Sequence, residues 1–257
     1  MRIIDIHTHI DKHFDGRLYM KPEQVIAYAE NCGITRLVTL GDVLRYGQRP
    51  TEEQVREIND SSWALLDRFP GKITGLCFIS ALLSEAFIRE ELERCIARGP
   101  FAGIKCEFPN AAGRDLDIIM AMAKKLDVFV LQHAWDTSWM TDTTLQSDPS
   151  DIAELASRHP DVRIIMAHLT GCGIRGPREI ADCPNVWVDT SGSQPFANVI
   201  EDAVEYLGVD RVIFGSDGPM RDFAAQLGRI MEADISESQR EKILYHNAAG
   251  LLGLEQE

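Results

Sequence analysis

Residues 3–10 read Ile3-Ile4-Asp5-Ile6-His7-Thr8-His9-Ile10, an apolar run that ends in two histidines one residue apart. In a strand, alternate side chains share a face, so His7 and His9 point the same way. Their Cα atoms then stand roughly 6–7 Å apart at about 3.3 Å rise per residue, and Asp5 would share their face one step deeper. Working outward from Ile3–His9, seven more runs rich in Val, Ile and Leu follow: Arg36–Leu40, Ile73–Ser80, Ala102–Glu107, Val128–His133, Val162–His168, Val186–Thr190 and Val212–Gly215. Such runs suit parallel strands buried on both faces. Between them, Pro22–Cys32, Thr51–Phe69, Ser84–Arg98, Asp115–Lys125, Pro149–His159, Pro177–Asp182 and Phe196–Leu207 carry apolar residues at helical spacing, with more helix at Met220–Met231 and Glu237–Leu244. Eight strands alternating with helices predict an α/β chain folded as one (β/α)8 barrel over residues 1–257. An open doubly wound sheet is the rival.

Polar residues recur at the carboxyl ends of these strands. His7 and His9 end the first, Lys105 and Glu107 the fourth, His133 the fifth and His168 the sixth. Asp217 follows the eighth in Phe214-Gly215-Ser216-Asp217-Gly218-Pro219. A barrel gathers such ends around one mouth. Imidazole and carboxylate are the usual ligands of Zn2+ and similar ions, so the ring predicts a divalent-metal site. Trp135, Asp136 and Trp139 follow His133, where large aromatics would wall a pocket or pack a long loop. Gly171-Cys172-Gly173-Ile174-Arg175-Gly176 matches G-x-G-x-x-G, yet it follows the sixth strand instead of opening a first βαβ unit. It therefore reads as an active-site loop, with Arg175 facing an anionic substrate group or solvent.

Among 257 residues, 26 Lys and Arg stand against 40 Asp and Glu, a formal charge of −14. That balance speaks against a nucleic-acid partner, which needs clustered cations. Six cysteines without a C-x-x-C pattern suit a reducing compartment. The first strand starts almost at Met1, leaving no room for a signal peptide, and no apolar run is long enough for a bilayer span. A cytoplasmic location is expected.

Six motifs together, Asp5-x-His7-x-His9, Gly103-Ile104-Lys105, Gln132-His133, Ala167-His168-Leu169, Gly215-Ser216-Asp217-Gly218-Pro219 and His246-Asn247-Ala248-Ala249, resemble the amidohydrolase superfamily. The likeness is to its compact branch of amidohydrolase-related hydrolases and decarboxylases. The resemblance implies that His7, His9, His133 and Asp217 hold one Zn2+ or other divalent ion, with a second ion left open. It implies that Asp217 moves the proton of an attacking water, and that His168 assists as a ligand or an orienting group. Lys105 or Glu107 would bridge a second ion or hold substrate, and Trp135 and Arg175 would line the pocket. The activity so implied is hydrolysis of a small-molecule amide, ester or lactone. The alternative is nonoxidative decarboxylation of an aromatic or unsaturated acid, and a TatD-type deoxyribonuclease ranks lower. The partner expected is a small molecule, and a homodimer stays open.

Overall fold

The computed structural model describes residues 2–254. Met1 and residues 255–257, the extreme ends of the expected barrel unit, lie outside the described residues. Eight parallel strands stand side by side in chain order: β1 Ile4–Thr8, β2 Arg36–Thr39, β3 Ile73–Ile79, β4 Gly103–Cys106, β5 Phe129–Gln132, β6 Ile164–Met166, β7 Val186–Asp189 and β8 Val212–Ile213. The ring closes where the chain after β8 meets β1. Ile6 N–H donates to Phe214 O (3.0 Å), Asp217 N–H to His7 O (2.8 Å) and His9 N–H to Gly218 O (2.7 Å). Closure leaves the sheet no free edge, and the barrel expected from the alternation is the fold observed.

Two apolar layers account for the sequence pattern. One faces inward, with Ile4, Ile6, Val38, Leu40, Leu76, Phe129, Leu131, Ile165, Ala167 and Ile213 filling the barrel, joined by Tyr245, Ala248 and Ala249 from the closing helix. The other lies between the strands and the outer helices. Those helices are α1 Pro22–Asn31, α2 Glu52–Arg68, α3 Glu85–Leu92, α4 Asp117–Leu126, α5 Pro149–Arg158, α6 Leu169–Cys172, α7 Arg175–Glu179, α8 Val199–Leu207 and α9 Phe223–Met231. Thr51 and Gln54 form a reciprocal capping box at the start of α2. The closing motif at 246–249 is structural. Asn247 Nδ2 ties the last helix to Val209 O (2.8 Å) and Val212 O (2.7 Å).

Three helical expectations shift. The segment expected at Pro177–Asp182 is α7, Arg175–Glu179. α8 starts at Val199, after Asn198 takes a left-handed φ of 57°. α9 starts at Phe223 because Asp222 caps it, accepting from Ala225 N–H at 2.8 Å. A hairpin pairing His13–Phe14 with Arg17–Leu18 was not anticipated. Its signal was the Asp15-Gly16 pair, whose φ values of 48° and 72° suit the two-residue turn that Asp-Gly favours.

α2 is bound to the sheet by one buried amide. Asn59 Nδ2 donates to Phe78 O (3.0 Å) and Glu91 Oε1 (2.9 Å), and its Oδ1 accepts from Phe78 N–H (2.9 Å). Asn59→Leu keeps the volume and strands these groups. Chemical denaturation is expected to show a loss of about 3 kcal/mol, the penalty for leaving buried polar groups unpaired.

Candidate metal centre

An even pleat along β1 would not deliver its histidines to the barrel mouth. Ile3 and Ile10 pack in the outer layer, Ile4 and Ile6 inside, so unbroken alternation from Ile6 sends His7 outward. The strand instead carries a register shift. Asp5 pairs with Leu37 and Thr8 with Thr39, three steps on β1 against two on β2. This bulge turns His7, and two residues on His9, into the mouth. The common face expected for Asp5, His7 and His9 thus holds for the histidines only. Asp5 Oδ1 accepts from the backbone N–H of His7 (3.1 Å) and of Ser216 (3.0 Å), and burial lifts its pKa to about 7.

His168 needs a similar device. Ile165 and Ala167 face inward, so the next residue would face out, but a φ of 66° turns His168 back. Its N–H donates to Asp189 Oδ1 (3.1 Å), which holds that uncommon backbone. Asp217 also sits at positive φ, 62°, held by its bond to His7 O. His133 follows Phe129 and Leu131 on the inner face and reaches the mouth by plain alternation. Gly215 leaves the room these side chains use, because a Cβ there would lie 3.0 Å from His7 Cβ and 3.2 Å from Asp189 Cβ.

Hydrogen bonds on the far side of each ring fix its proton. His9 Nδ1 lies 2.6 Å from Gly41 O, and a carbonyl only accepts, so Nδ1 carries the hydrogen and Nε2 the lone pair. Burial drives the His9 pKa down to about 3, which keeps the ring neutral. His7 Nδ1 donates to Asp189 Oδ2 (2.8 Å). Asp189 accepts four hydrogen bonds, from His7, the N–H groups of His168 and Ser191, and the Ser191 hydroxyl. Burial pushes this carboxyl up, but His7 and those bonds outweigh it, and it stays below the usual carboxylate range. With its hydrogen given to Asp189, Ser191 Oγ accepts from His168 Nδ1 (2.8 Å), leaving a lone pair on His168 Nε2.

His7 Nε2 and His9 Nε2 therefore aim at the same atom. Asp217 Oδ1 lies 3.8 Å from the first and 3.4 Å from the second, beyond the roughly 2.7–3.2 Å reach of a nitrogen–oxygen hydrogen bond. Two ligands about 2.1 Å from one ion at a tetrahedral angle stand roughly 3.4 Å apart. Electron-pair donors converging at that spacing fit a divalent cation. Among the described residues, two such groups lie with their ligand atoms within 4.8 Å of one another: His7, His9 and Asp217, and His7, His168 and Asp189. His133 stands beside them, its ring 4.9 Å from that of His168, which is itself 4.8 Å from His7.

The four histidines and Asp217 border a cavity of about 220 Å³ walled by Trp135 and by Val43, Leu44 and Met220. Gly171 makes room for the wall, since a Cβ there would lie 2.4 Å from Cε3 of the Trp135 ring. Glu107 reaches the cavity with Oε1 3.2 Å from His133 Nδ1. Burial pushes Glu107 up, but His133 and Lys105 prevail and hold it at about 2. An adjoining recess of about 730 Å³, lined by the hairpin and Tyr46, shares Lys12, Leu44 and Met220 with the cavity.

The matching family model, described as amidohydrolase, spans residues 4–254. The chain belongs to the amidohydrolase family. A curated relative, the uncharacterized protein y4mH of Sinorhizobium fredii (strain NBRC 101917 / NGR234), is 30% identical over 124 residues, 38% of this chain and 41% of that protein. Solved structures with the same fold include 2,6-dihydroxybenzoate decarboxylase from Rhizobium, with 17% identity, 99% of each chain covered and a TM-score of 0.77. Another is a dihydroxybenzoic acid decarboxylase from Polaromonas sp. JS666 with bound manganese and the inhibitor 2-nitroresorcinol, with 18% identity, 99% and 98% covered and a TM-score of 0.78. A third is 5-carboxyvanillate decarboxylase from Sphingomonas paucimobilis, with 15% identity, 93% and 85% covered and a TM-score of 0.74. At these identities the likeness establishes the barrel fold alone. Among the described residues, no helix is long and apolar enough to cross a membrane.

Not every residue singled out in the sequence reaches the cavity. Arg175 is held by Asp148 and Asp136, with Nη1 2.6 Å from Asp148 Oδ2 and 3.2 Å from Asp136 Oδ1. It pins the loop after β6 to the start of α5, which corrects its expected place in the pocket. Lys105 is buried in the barrel, with Nζ 2.9 Å from Glu107 Oε2, and does not border the cavity. Trp139 is 74% exposed. Sequence reasoning passed over Asp189, whose signal was a lone acid in an otherwise apolar strand. It also passed over Lys12 and Arg221, which lie in loops that carry no periodicity.

Two outcomes follow. In Asp189→Asn the amide oxygen is held by the three donors on Oδ1 and its NH2 replaces the carboxylate oxygen facing His7 Nδ1, and Mn2+ titration is expected to show affinity about 10–100-fold weaker, with the fold intact by circular dichroism. Arg175→Gln should lower the melting temperature at neutral pH and leave Mn2+ affinity unchanged. Burial pushes Asp148 up, but hydrogen bonds from Arg175, Ser150 and Thr137 hold it at about 2. A depressed carboxyl stabilises the fold above its ordinary pKa, so the gap between wild type and variant should close as pH falls from about 4 towards 2.

Proposed function

We propose that the chain is a metal-dependent nonoxidative decarboxylase acting on a small aromatic or conjugated carboxylic acid. The observation that carries the reading is the cavity itself. At about 220 Å³ it is below the roughly 300–1,000 Å³ of ordinary ligand pockets, with a metal-ligand cluster on one wall and the rings of Trp135 and His168 on another. The named structures of the same fold are decarboxylases, and the Polaromonas protein was solved with manganese and a ring-shaped inhibitor. Hydrolysis of an amide, ester or lactone, the first expectation from sequence, uses the same donors and ranks second.

His7, His9 and Asp217 would hold a divalent ion, Mn2+ or Zn2+, with His133 as the fourth protein ligand. That ion supplies positive charge to orient the acid and to stabilise the negative charge that develops as the carbon–carbon bond breaks. The chain's own residues do the rest. Trp135 packs on the flat face of the substrate and excludes water. His168, with its Nδ1 hydrogen committed to Ser191, offers Nε2 to a hydroxyl proton of the substrate. Asp217 Oδ2, the oxygen turned away from His7 and His9, would pass a proton to the carbon that loses CO2. The electron pair of the broken bond ends in the new C–H bond, so one carboxylate and one proton give CO2 and the decarboxylated product.

Isotopes separate the two readings. Mn2+-loaded protein incubated with 2,6-dihydroxybenzoate or 5-carboxyvanillate in D2O is expected to release CO2 and place one deuterium on the carbon that lost it. The same reaction in H2 18O should leave the product unlabelled. No CO2 from either acid, with turnover of an ester or lactone such as phenyl acetate or dihydrocoumarin that places 18O in the carboxylate formed, would replace this reading with hydrolysis. Asp217→Asn should lower kcat by about 10²–10⁴-fold, the usual worth of a positioned proton donor.

A further inference from the structure

We infer that Arg221 binds an anionic oxygen of the substrate and makes the cavity selective for acids. This deepens the proposed function and rests on the metal site described for it. Arg221 lies one turn of loop beyond Asp217, its N–H bonded to Asp217 O (3.2 Å), and it borders the cavity. Its Nε is buried and makes no hydrogen bond. The acceptor facing it, Asp217 Oδ2, is 3.6 Å away, too far to fill the donor. Buried donors are rarely left unpaired in a native fold.

The other cations around the mouth each lie within 2.9 Å of a carboxylate oxygen; Lys105 Nζ, like Arg221 Nε, makes no hydrogen bond, but it does not border the cavity. Lys12 Nζ lies 2.6 Å from Asp42 Oδ1, Lys105 pairs with Glu107, and Arg175 with Asp148. Asp217 is shared from both sides, with Oδ1 towards His7 and His9 and Oδ2 towards Arg221. A divalent ion at the histidine side would take up the charge of Asp217 and leave the guanidinium uncompensated. The cavity is then locally positive inside a chain of formal charge −14, and it draws in anions. A planar guanidinium presents paired donors that match a carboxylate, which a neutral amide cannot reproduce.

Benzoate and its neutral isostere benzamide are the probes, with binding to the Mn2+-loaded protein read by calorimetry or by water-proton relaxation. Wild type is expected to prefer benzoate. Arg221→Met should weaken benzoate binding about 10–100-fold, the worth of a hydrogen bond to a charged group, with benzamide binding and Mn2+ affinity unchanged. Arg221→Lys should restore part of the benzoate affinity. Equal losses for both probes, no loss for either, or no benzoate binding to Mn2+-loaded wild type would overturn the inference. So would a fall in Mn2+ affinity in Arg221→Met, which would make the residue a support for Asp217. Failure of wild type to take up Mn2+ would instead remove the metal site on which the inference rests.

Discussion

Two imidazoles aim bare nitrogens at one carboxylate oxygen, and the rest of the structure serves to keep them there. The arrangement is imposed from behind. Gly41 O holds the hydrogen of His9 and Asp189 that of His7, so neither ring can turn its N–H towards Asp217 without breaking a buried bond. Left to themselves, lone pairs facing a carboxylate at 3.4 and 3.8 Å repel. A cation between them turns the same geometry into attraction. The strain is held by a closed barrel whose inner and outer layers are both packed with apolar side chains.

The barrel also explains where the backbone departs from regularity. One extra residue in β1 and left-handed conformations at His168 and Asp217 all occur at the mouth. The bulge and the turn at His168 redirect histidines that even alternation would have sent elsewhere. Such departures cost free energy and persist where surrounding bonds over-determine them. Here the bonds are those from His168 N–H to Asp189 and from Asp217 N–H to His7 O. Asp189 therefore acts on two levels, holding a strained backbone and setting a ring tautomer with the same carboxylate.

Much of this was legible in the sequence, for identifiable reasons. Buried parallel strands read as runs of Val, Ile and Leu because both faces are covered, so the strand count and the barrel were visible. His7, His9, His133, His168 and Asp217 were visible because polar residues at the ends of apolar runs stand out. The bulge was not, since Asp5, His7 and His9 satisfy a period of two whether or not a residue is inserted. Arg175 was misplaced because its partners, Asp136 and Asp148, are 39 and 27 residues distant in the chain. No local pattern distinguishes an arginine bound to its own protein from one waiting for a substrate. Asp189 and Arg221 owe their significance to neighbours contributed by other strands and loops, which only closure of the barrel brings within reach.

The central claim is that His7, His9 and Asp217 share one cation. Crystals grown with Mn2+ and measured for anomalous scattering test it directly. The account predicts a single strong peak about 2.0–2.3 Å from His7 Nε2, His9 Nε2 and Asp217 Oδ1. A map without that peak, in which His9 Nε2 and Asp217 Oδ1 have instead closed to hydrogen-bonding distance, would contradict it.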